Sequence, residues 1–384
     1  MKHRLSILLP GLMSGLLLLA ACDKDDQPST PDTTTQEKVY YDWTKLVVGA
    51  DLSSVNMVQA NGGRYEDSGR AKDPFVLFKQ YGCNTARVRL FHNPAAPDGY
   101  SALGYCGLND VVRTIRRAKE QGMAVCLDFH YSDTWADPSW QATPAAWAGL
   151  PLDILKDSLY NYTSMVLNLL SAQGLTPEMV QIGNEIQPGM LHPVGKISNN
   201  DYSALAVLLN SGIKAVRDFS QAAAIKPQII LHPASPQVQE WWFNGITAAG
   251  VTDYDIIGIS YYEEWTSVMF HQLTALIKKL NSSFGKKVLI AETNYQWTNA
   301  ARDGVVYHPQ PSINGYAVSA AGQLEYHKAI TQAVIDGGGM GVLVWEPAWI
   351  GTGKDWGQEL IAFFDYDGKA LPGLQFMHYP YKFQ

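Results

Sequence analysis

Two glutamates, Glu185 in Gly183-Asn184-Glu185 and Glu292 in Ala291-Glu292-Thr293, stand at the polar ends of apolar, β-rich runs. One such glutamate alone is equally well explained by a salt bridge at the rim of a sheet. A pair points to acetal cleavage, which needs a proton donor for the leaving oxygen and a second carboxylate that, in retaining enzymes, attacks the anomeric carbon. Surroundings can hold one carboxyl protonated near neutral pH while the other stays ionised beside a cation such as Arg87. Other apolar runs end in Arg87-Val88-Arg89, Asp128-Phe129-His130, Tyr261-Tyr262 and Trp345-Glu346-Pro347. Trp135, Trp297 and Trp345 occupy loop or strand-end positions where an indole face can stack on the C–H face of a sugar. Trp43 reads as core filling, and Trp349, Trp241 and Trp242 carry a weaker claim to substrate. His130 suits either a satisfied core position or the site, and its neighbours favour the site.

The elements that must position these groups follow one repeated grammar: an amphipathic stretch, a glycine, a few residues, then an apolar β-rich run. Tyr81-Gly82 precedes Thr85 to Phe91, Gln121-Gly122 precedes Ala124 to His130, and Gln173-Gly174 precedes Val180 to Glu185. Ala249-Gly250 precedes Tyr254 to Tyr262, Phe284-Gly285 precedes Val288 to Tyr295, and Gly337-Gly338-Gly339 precedes Gly341 to Trp349. Glycine suits a helix end, where the chain turns through a left-handed residue. Leu46 to Leu52 and Gln228 to His232 bring the strands to eight. Near-continuous apolar strands imply both faces covered, and helices are expected at Asn109 to Gln121 and Leu152 to Ala172. The expected fold is α/β, a single (β/α)8 TIM barrel with its chemistry at the C-terminal ends of the strands. A doubly wound open sheet is the alternative, but no Gly-rich phosphate loop follows the first strand.

Lys2-His3-Arg4 and the apolar run Leu5 to Ala20 read as a secretory signal over residues 1–21. The run ends in Leu19-Ala20-Ala21-Cys22, which resembles a lipobox and makes Cys22 the expected lipid anchor. Asp23-Lys24-Asp25-Asp26 and a Pro/Ser/Thr/Gln-rich stretch make residues 22–39 a tether, leaving 40–384 as one catalytic domain. An exported lipoprotein of a Gram-negative outer membrane, displayed on the cell surface, is the expected localisation. The net charge of -7, with no basic cluster, argues against nucleic acid as a partner. Cys83, Cys106 and Cys126 lack metal-ligand spacing and allow one bridge at most, and Cys126 reads as a small buried hydrophobe.

Longer strings narrow the reading. Gly49-Ala50-Asp51-Leu52-Ser53-Ser54, Phe129-His130-Tyr131-Ser132-Asp133-Thr134-Trp135-Ala136-Asp137-Pro138, Gly183-Asn184-Glu185 and Trp345-Glu346-Pro347-Ala348-Trp349 resemble glycoside hydrolase family 53, the endo-β-1,4-galactanases of clan A, from about Leu46 to Gln375. The resemblance implies Glu185 as acid/base and Glu292 as nucleophile, with retention of configuration. It implies that Asn184 bonds the 2-hydroxyl of the cleaved sugar, that Arg87 and Tyr262 hold Glu292 ionised, and that His130 sits beside the cleaved bond. Strand alternation puts Tyr261 and Tyr262 on opposite sides and does not choose between them. The implied substrate is the β-1,4-galactan of pectin, in type I arabinogalactan, and a monomer is expected. Some bacterial members carry calcium after strand 7. Here Asp303, His308 and Asn314 are too widely spaced for a compact oxygen cage, so no metal and no cofactor are expected. Three other readings compete. One is another clan A specificity on mannan or glucan; one is a non-catalytic surface glycan-binding lipoprotein; one is a metal-dependent barrel using His130 and His192, which no His-x-His motif supports.

Overall fold

The computed structural model describes residues 37–302, 310–351 and 358–383. The signal segment, Cys22 and most of the tether lie outside these residues, as do Asp303 and His308 of the loop weighed for calcium. Eight strands form one closed parallel barrel: β1 Val47–Asp51, β2 Thr85–Leu90, β3 Ala124–Phe129, β4 Met179–Ile182, β5 Gln228–Leu231, β6 Ile256–Ser260, β7 Lys287–Thr293 and β8 Gly341–Val344. They are hydrogen-bonded in chain order, with β8 closing onto β1. The expected (β/α)8 barrel is therefore the fold.

The crossovers are helical where the sequence is amphipathic. α1 Val55–Ala60 and α2 Pro74–Gln80 lie between β1 and β2, and α2 starts on a local signal. Asp73 accepts from the Phe75 and Val76 amides, and Pro74 sits where its missing N–H costs nothing. α3 Leu108–Glu120 and α4 Leu152–Ser171 fall within a residue of the expected helices. α5 Ser203–Ala222, α6 Gln239–Ala248, α7 Phe270–Phe284 and α8 Ala320–Asp336 complete the layer. α7 closes at Gly285 in the left-handed region, φ 63°. No helix among the described residues is long and apolar enough to cross a membrane.

The two parities of each strand divide the core. One packs outward on the helices, and the other fills the barrel in layers. At the N-terminal end the inner layer is apolar: Val47, Cys126, Met179, Ile230, Ile256, Leu289 and Leu343, with Trp43 packed beneath. Two to four residues further along several of the strands, the same parity turns polar and charged. Asp51 pairs in register with Arg87, Arg89 with Asp128, and Asp128 with Gln181. The barrel is thus an apolar plug carrying a buried polar layer. Cys83, Cys106 and Cys126 are all buried free thiols.

Two departures from regular strands aim the glutamates. β4 ends at Ile182, three residues before the apolar run does. Gly183 (φ 78°) and Glu185 (φ 49°) are left-handed there, which costs Glu185 on the order of 1–2 kcal/mol. In β7, Ile290 lies opposite Ile259 while Glu292 lies opposite Ser260, so Ala291 is an extra residue. The β8 register shifts over the same stretch, from Ile290↔Val342 to Thr293↔Val344. A bulge of this kind re-aims side chains, and here it returns Glu292 to the inside of the barrel.

Candidate active site

Arg87 is the centre of the polar layer. It is wholly buried and reaches Asp51 Oδ2 (3.1 Å), Asp128 Oδ2 (2.8 Å), Asn184 Oδ1 (2.9 Å) and Glu292 Oε1 (2.8 Å). The other oxygen of Glu292, Oε2, accepts from Tyr262 Oη at 2.9 Å. That settles the tyrosine question, since Tyr261 is buried and its hydroxyl donates to Val268 O at 3.2 Å. Glu185 has a different environment. Ser260 Oγ donates to its Oε1 at 2.6 Å, and no described residue bonds its Oε2. One oxygen of each glutamate and a ring nitrogen of His232 lie within 4.8 Å of one another.

This asymmetry separates the two carboxyls electrostatically. Burial pushes both upward, because neither is hydrated as it would be in water. At Glu292 the Arg87 guanidinium and the Tyr262 hydroxyl oppose burial directly. At Glu185 burial and the neighbouring Glu292 charge prevail, and its carboxyl is pushed up to about 8. Two buried guanidiniums, Arg87 and Arg89, form ion pairs with four carboxyls, Asp51, Asp128, Glu292 and Glu346, and none with Glu185 among the described residues. The carboxyl without an ion pair is the one for which burial and the Glu292 charge favour the protonated form.

Asn184 lines the cleft, with one amide proton committed to Ala136 O (2.8 Å) and its oxygen to Arg87. His130 also lines the cleft, almost fully buried. The Ala136 amide donates to its Nδ1 (3.1 Å), and its Nε2 stands 3.1 Å from Asp128 Oδ2. Trp135 and Trp345 line the cleft with ring centroids 6.5 Å apart, and Trp135 also covers the Arg89 guanidinium at 4.6 Å. Trp297, expected to meet substrate, is not among the residues lining the cleft. Its indole N–H donates to Glu359 O (2.8 Å) and its ring packs on Tyr366. It secures the neighbouring chain instead.

The cleft, about 860 Å³, also has walls that the sequence reading missed. Trp265, on the loop after β6, is 70% exposed and packs its ring against Tyr262, a platform left open to solvent. The signal was available, since Trp265 follows Tyr261-Tyr262 on the catalytic side. Glu346 proves to be structural: it is buried against Arg89 and Ser54, is absent from the cleft lining, and fixes the segment carrying Trp345. Asn314, the described member of the loop weighed for calcium, donates to Glu263 Oε2 at 2.8 Å.

A (β/α)8 barrel with an aromatic-walled cleft and two unequally supported glutamates at the ends of β4 and β7 defines a glycoside hydrolase. Its residues 47–377 match the profile described as Glycosyl hydrolase family 53. It is 41% identical to the arabinogalactan endo-β-1,4-galactanase of Cellvibrio japonicus, over 89% of this chain and 93% of that one. It is 32% identical to the endo-β-1,4-galactanase of Bacillus subtilis, over 87% and 86%. The structure of the Ignisphaera aggregans GH53 catalytic domain superposes with a TM-score of 0.79 at 32% identity, covering 90% of this chain and 99% of that one. The chain belongs to glycosyl hydrolase family 53.

The electrostatics predict the pH profile. Polysaccharide kcat/KM should fall on the alkaline side as Glu185 loses its proton, with a limb near 8, and on the acid side as Glu292 gains one. A profile flat through pH 8 would show that no group protonated up to that range takes part.

Proposed function

We propose that this enzyme cleaves internal β-1,4-galactosidic bonds of galactan, the side chain of type I arabinogalactan in pectin, by double displacement. The observation that carries the mechanism is the close approach of two carboxylates with unequal support, Glu292 on Arg87 and Tyr262, Glu185 on Ser260 alone. Oxygens within 4.8 Å accord with the ~5–5.5 Å carboxyl separation of retaining enzymes rather than the ~6.5–9.5 Å of inverting ones. Glu292, kept anionic, attacks the anomeric carbon as Glu185 gives its proton to the leaving oxygen. The glycosyl–Glu292 ester then yields to water, from which Glu185 takes a proton. In this reading Asn184 bonds the 2-hydroxyl and Trp135 and Trp345 stack on sugar faces, which their position in the cleft lining supports. The Cellvibrio japonicus arabinogalactan endo-β-1,4-galactanase and the Bacillus subtilis endo-β-1,4-galactanase, as relatives, support galactan as the substrate. A purely glycan-binding role would need the aromatics but not the carboxylate pair.

Reducing-end release from galactan, and not from mannan or β-glucan, tests the substrate. The roles are tested with azide and an aryl galactoside whose leaving group needs no proton. Glu292→Ala should form no glycosyl-enzyme, and azide should give the inverted product. Glu185→Ala should accumulate the intermediate, and azide should speed turnover with retained configuration. Swapped products would reverse the two roles.

We further propose that residues 1–21 direct export and that lipid on Cys22 tethers the enzyme to the outer membrane, at the cell surface. The lipobox-like Leu19-Ala20-Ala21-Cys22 supports this, since two or three acyl chains anchor firmly where one does not. Cys22→Ala should move the activity out of the membrane fraction with specific activity unchanged. Retention in that fraction would refute the anchor.

A further inference from the structure

Nothing in the mechanism so far uses the histidine behind Ser260. His232, at the end of β5, is fully buried, and its Nε2 stands 2.9 Å from the same Ser260 Oγ that donates to Glu185. β6 makes room for the imidazole by carrying Gly258 alongside, where a Cβ would come within 3.1 Å of the His232 Cβ. At the other ring nitrogen, Nδ1, Gln181 Nε2 lies 3.0 Å away. The Gln181 amide is oriented from its far side. Its Nε2 has two protons and no capacity to accept: one goes to Asp128 Oδ1 (2.6 Å), which only accepts when ionised, and the other is shared among Gly183 O (3.1 Å), Asn184 Oδ1 (3.0 Å) and Nδ1. A donor therefore faces Nδ1. Asn184 Oδ1, 3.2 Å from Nδ1, already accepts from Arg87 at 2.9 Å.

A neutral imidazole carries one donor and one acceptor, so these contacts give the chain a direction. With Nδ1 accepting from Gln181, the ring proton sits on Nε2 and is given to Ser260 Oγ. The serine proton then has one destination, Glu185 Oε1. The opposite tautomer would draw the serine proton toward the ring and leave Oε1 without a donor. We propose that Gln181, His232 and Ser260 form a directional hydrogen-bond relay that keeps Oε1 of Glu185 free of proton, so that the transferable proton is carried on Oε2. This rests on the reading of Glu185 as the acid/base.

The relay exchanges no protons. In the first step the Oε2 proton passes to the leaving oxygen as the C–O bond breaks. In the second, Oε2 recovers a proton from the attacking water. Ser260 and His232 are positioning residues, keeping one oxygen as the acid and base throughout. Burial and the nearby Arg87 push His232 down to about 3, so it stays neutral where the enzyme works. The charged and titratable groups around the relay are Arg87 from β2, Asp128 and His130 from β3, Asp137 from the loop that follows, and Glu292 from β7. Donation from Ser260 favours the ionised form of Glu185, so its loss moves the Glu185 pKa up.

The test compares two substrates in one preparation, which removes any dependence on how much protein folds. For Ser260→Ala, kcat/KM on galactan should fall on the order of ten- to a hundredfold, a share of what a general acid contributes. The burst of phenol from an aryl galactoside that needs no proton should stay within about twofold. The alkaline limb on galactan should move to higher pH. Ser260→Thr should restore wild-type behaviour, and His232→Ala should shift the substrate ratio in the same direction, with the double variant no worse than the single ones. An equal loss on both substrates with an unmoved alkaline limb would overturn the relay. Glu185→Ala is the control: if it too loses both substrates equally, the acid/base reading fails, whereas leaving-group dependence there and not in Ser260→Ala removes the relay alone.

Discussion

The Arg87 guanidinium is the constraint on which the rest of this site depends. It has no contact with solvent and is shared among Asp51, Asp128, Asn184 and Glu292, which come from or follow four different strands. A buried ion pair adds little net stability, because desolvation consumes most of the attraction, but removing one partner costs about 3–5 kcal/mol. What the arrangement supplies is order. Each carboxylate has one low-energy place, and the ends of β1, β2, β3, β4 and β7 are held in register about a common charge. The site is preorganised before any sugar enters, which is what makes fixed charges effective in catalysis.

The same shortage of cations accounts for the division of labour. A barrel interior that is apolar near its N-terminal end cannot hydrate its polar upper layer, so every proton there is allocated by contact. Glu292 holds a guanidinium and a phenol, whereas Glu185 holds only a serine hydroxyl. The left-handed conformation of Glu185 is part of this allocation. Its side chain lines the cleft, and the Ser260 hydroxyl holds it there.

Most of the architecture was legible in the sequence. The helix–glycine–strand grammar located six strands and the apolar runs Leu46 to Leu52 and Gln228 to His232 supplied the other two, because parallel strands buried on both faces read as unbroken apolar runs. Glu185, Glu292, Arg87 and Asn184 do converge, as strand-end polar residues of a barrel must. Side-chain direction after an irregularity was not legible. Alternation could not place Glu292 relative to Tyr262, because the Ala291 bulge shifts the parity of β7 without a glycine or proline to announce it. Trp297 looked like Trp135 in local context, and only the long-range bond to Glu359 separates them. Ser260 was passed over because it lies inside an apolar run, where a lone polar residue has no pattern to mark it, whereas His232 ends its run and could have been weighed with the other strand-end residues.

The central claim is that burial, together with the charge of the neighbouring Glu292, keeps the proton on Glu185. The direct measurement is a 13C NMR titration of glutamate side-chain carboxyls in the wild-type enzyme and in Glu292→Gln, with Glu185 assigned by substitution. Glu185 should titrate near 8 in the wild type, with Glu292 already ionised below it, and should move downward once the Glu292 charge is gone. A Glu185 that titrates in the ordinary carboxylate range, or one that is unaffected by Glu292→Gln, would contradict the account.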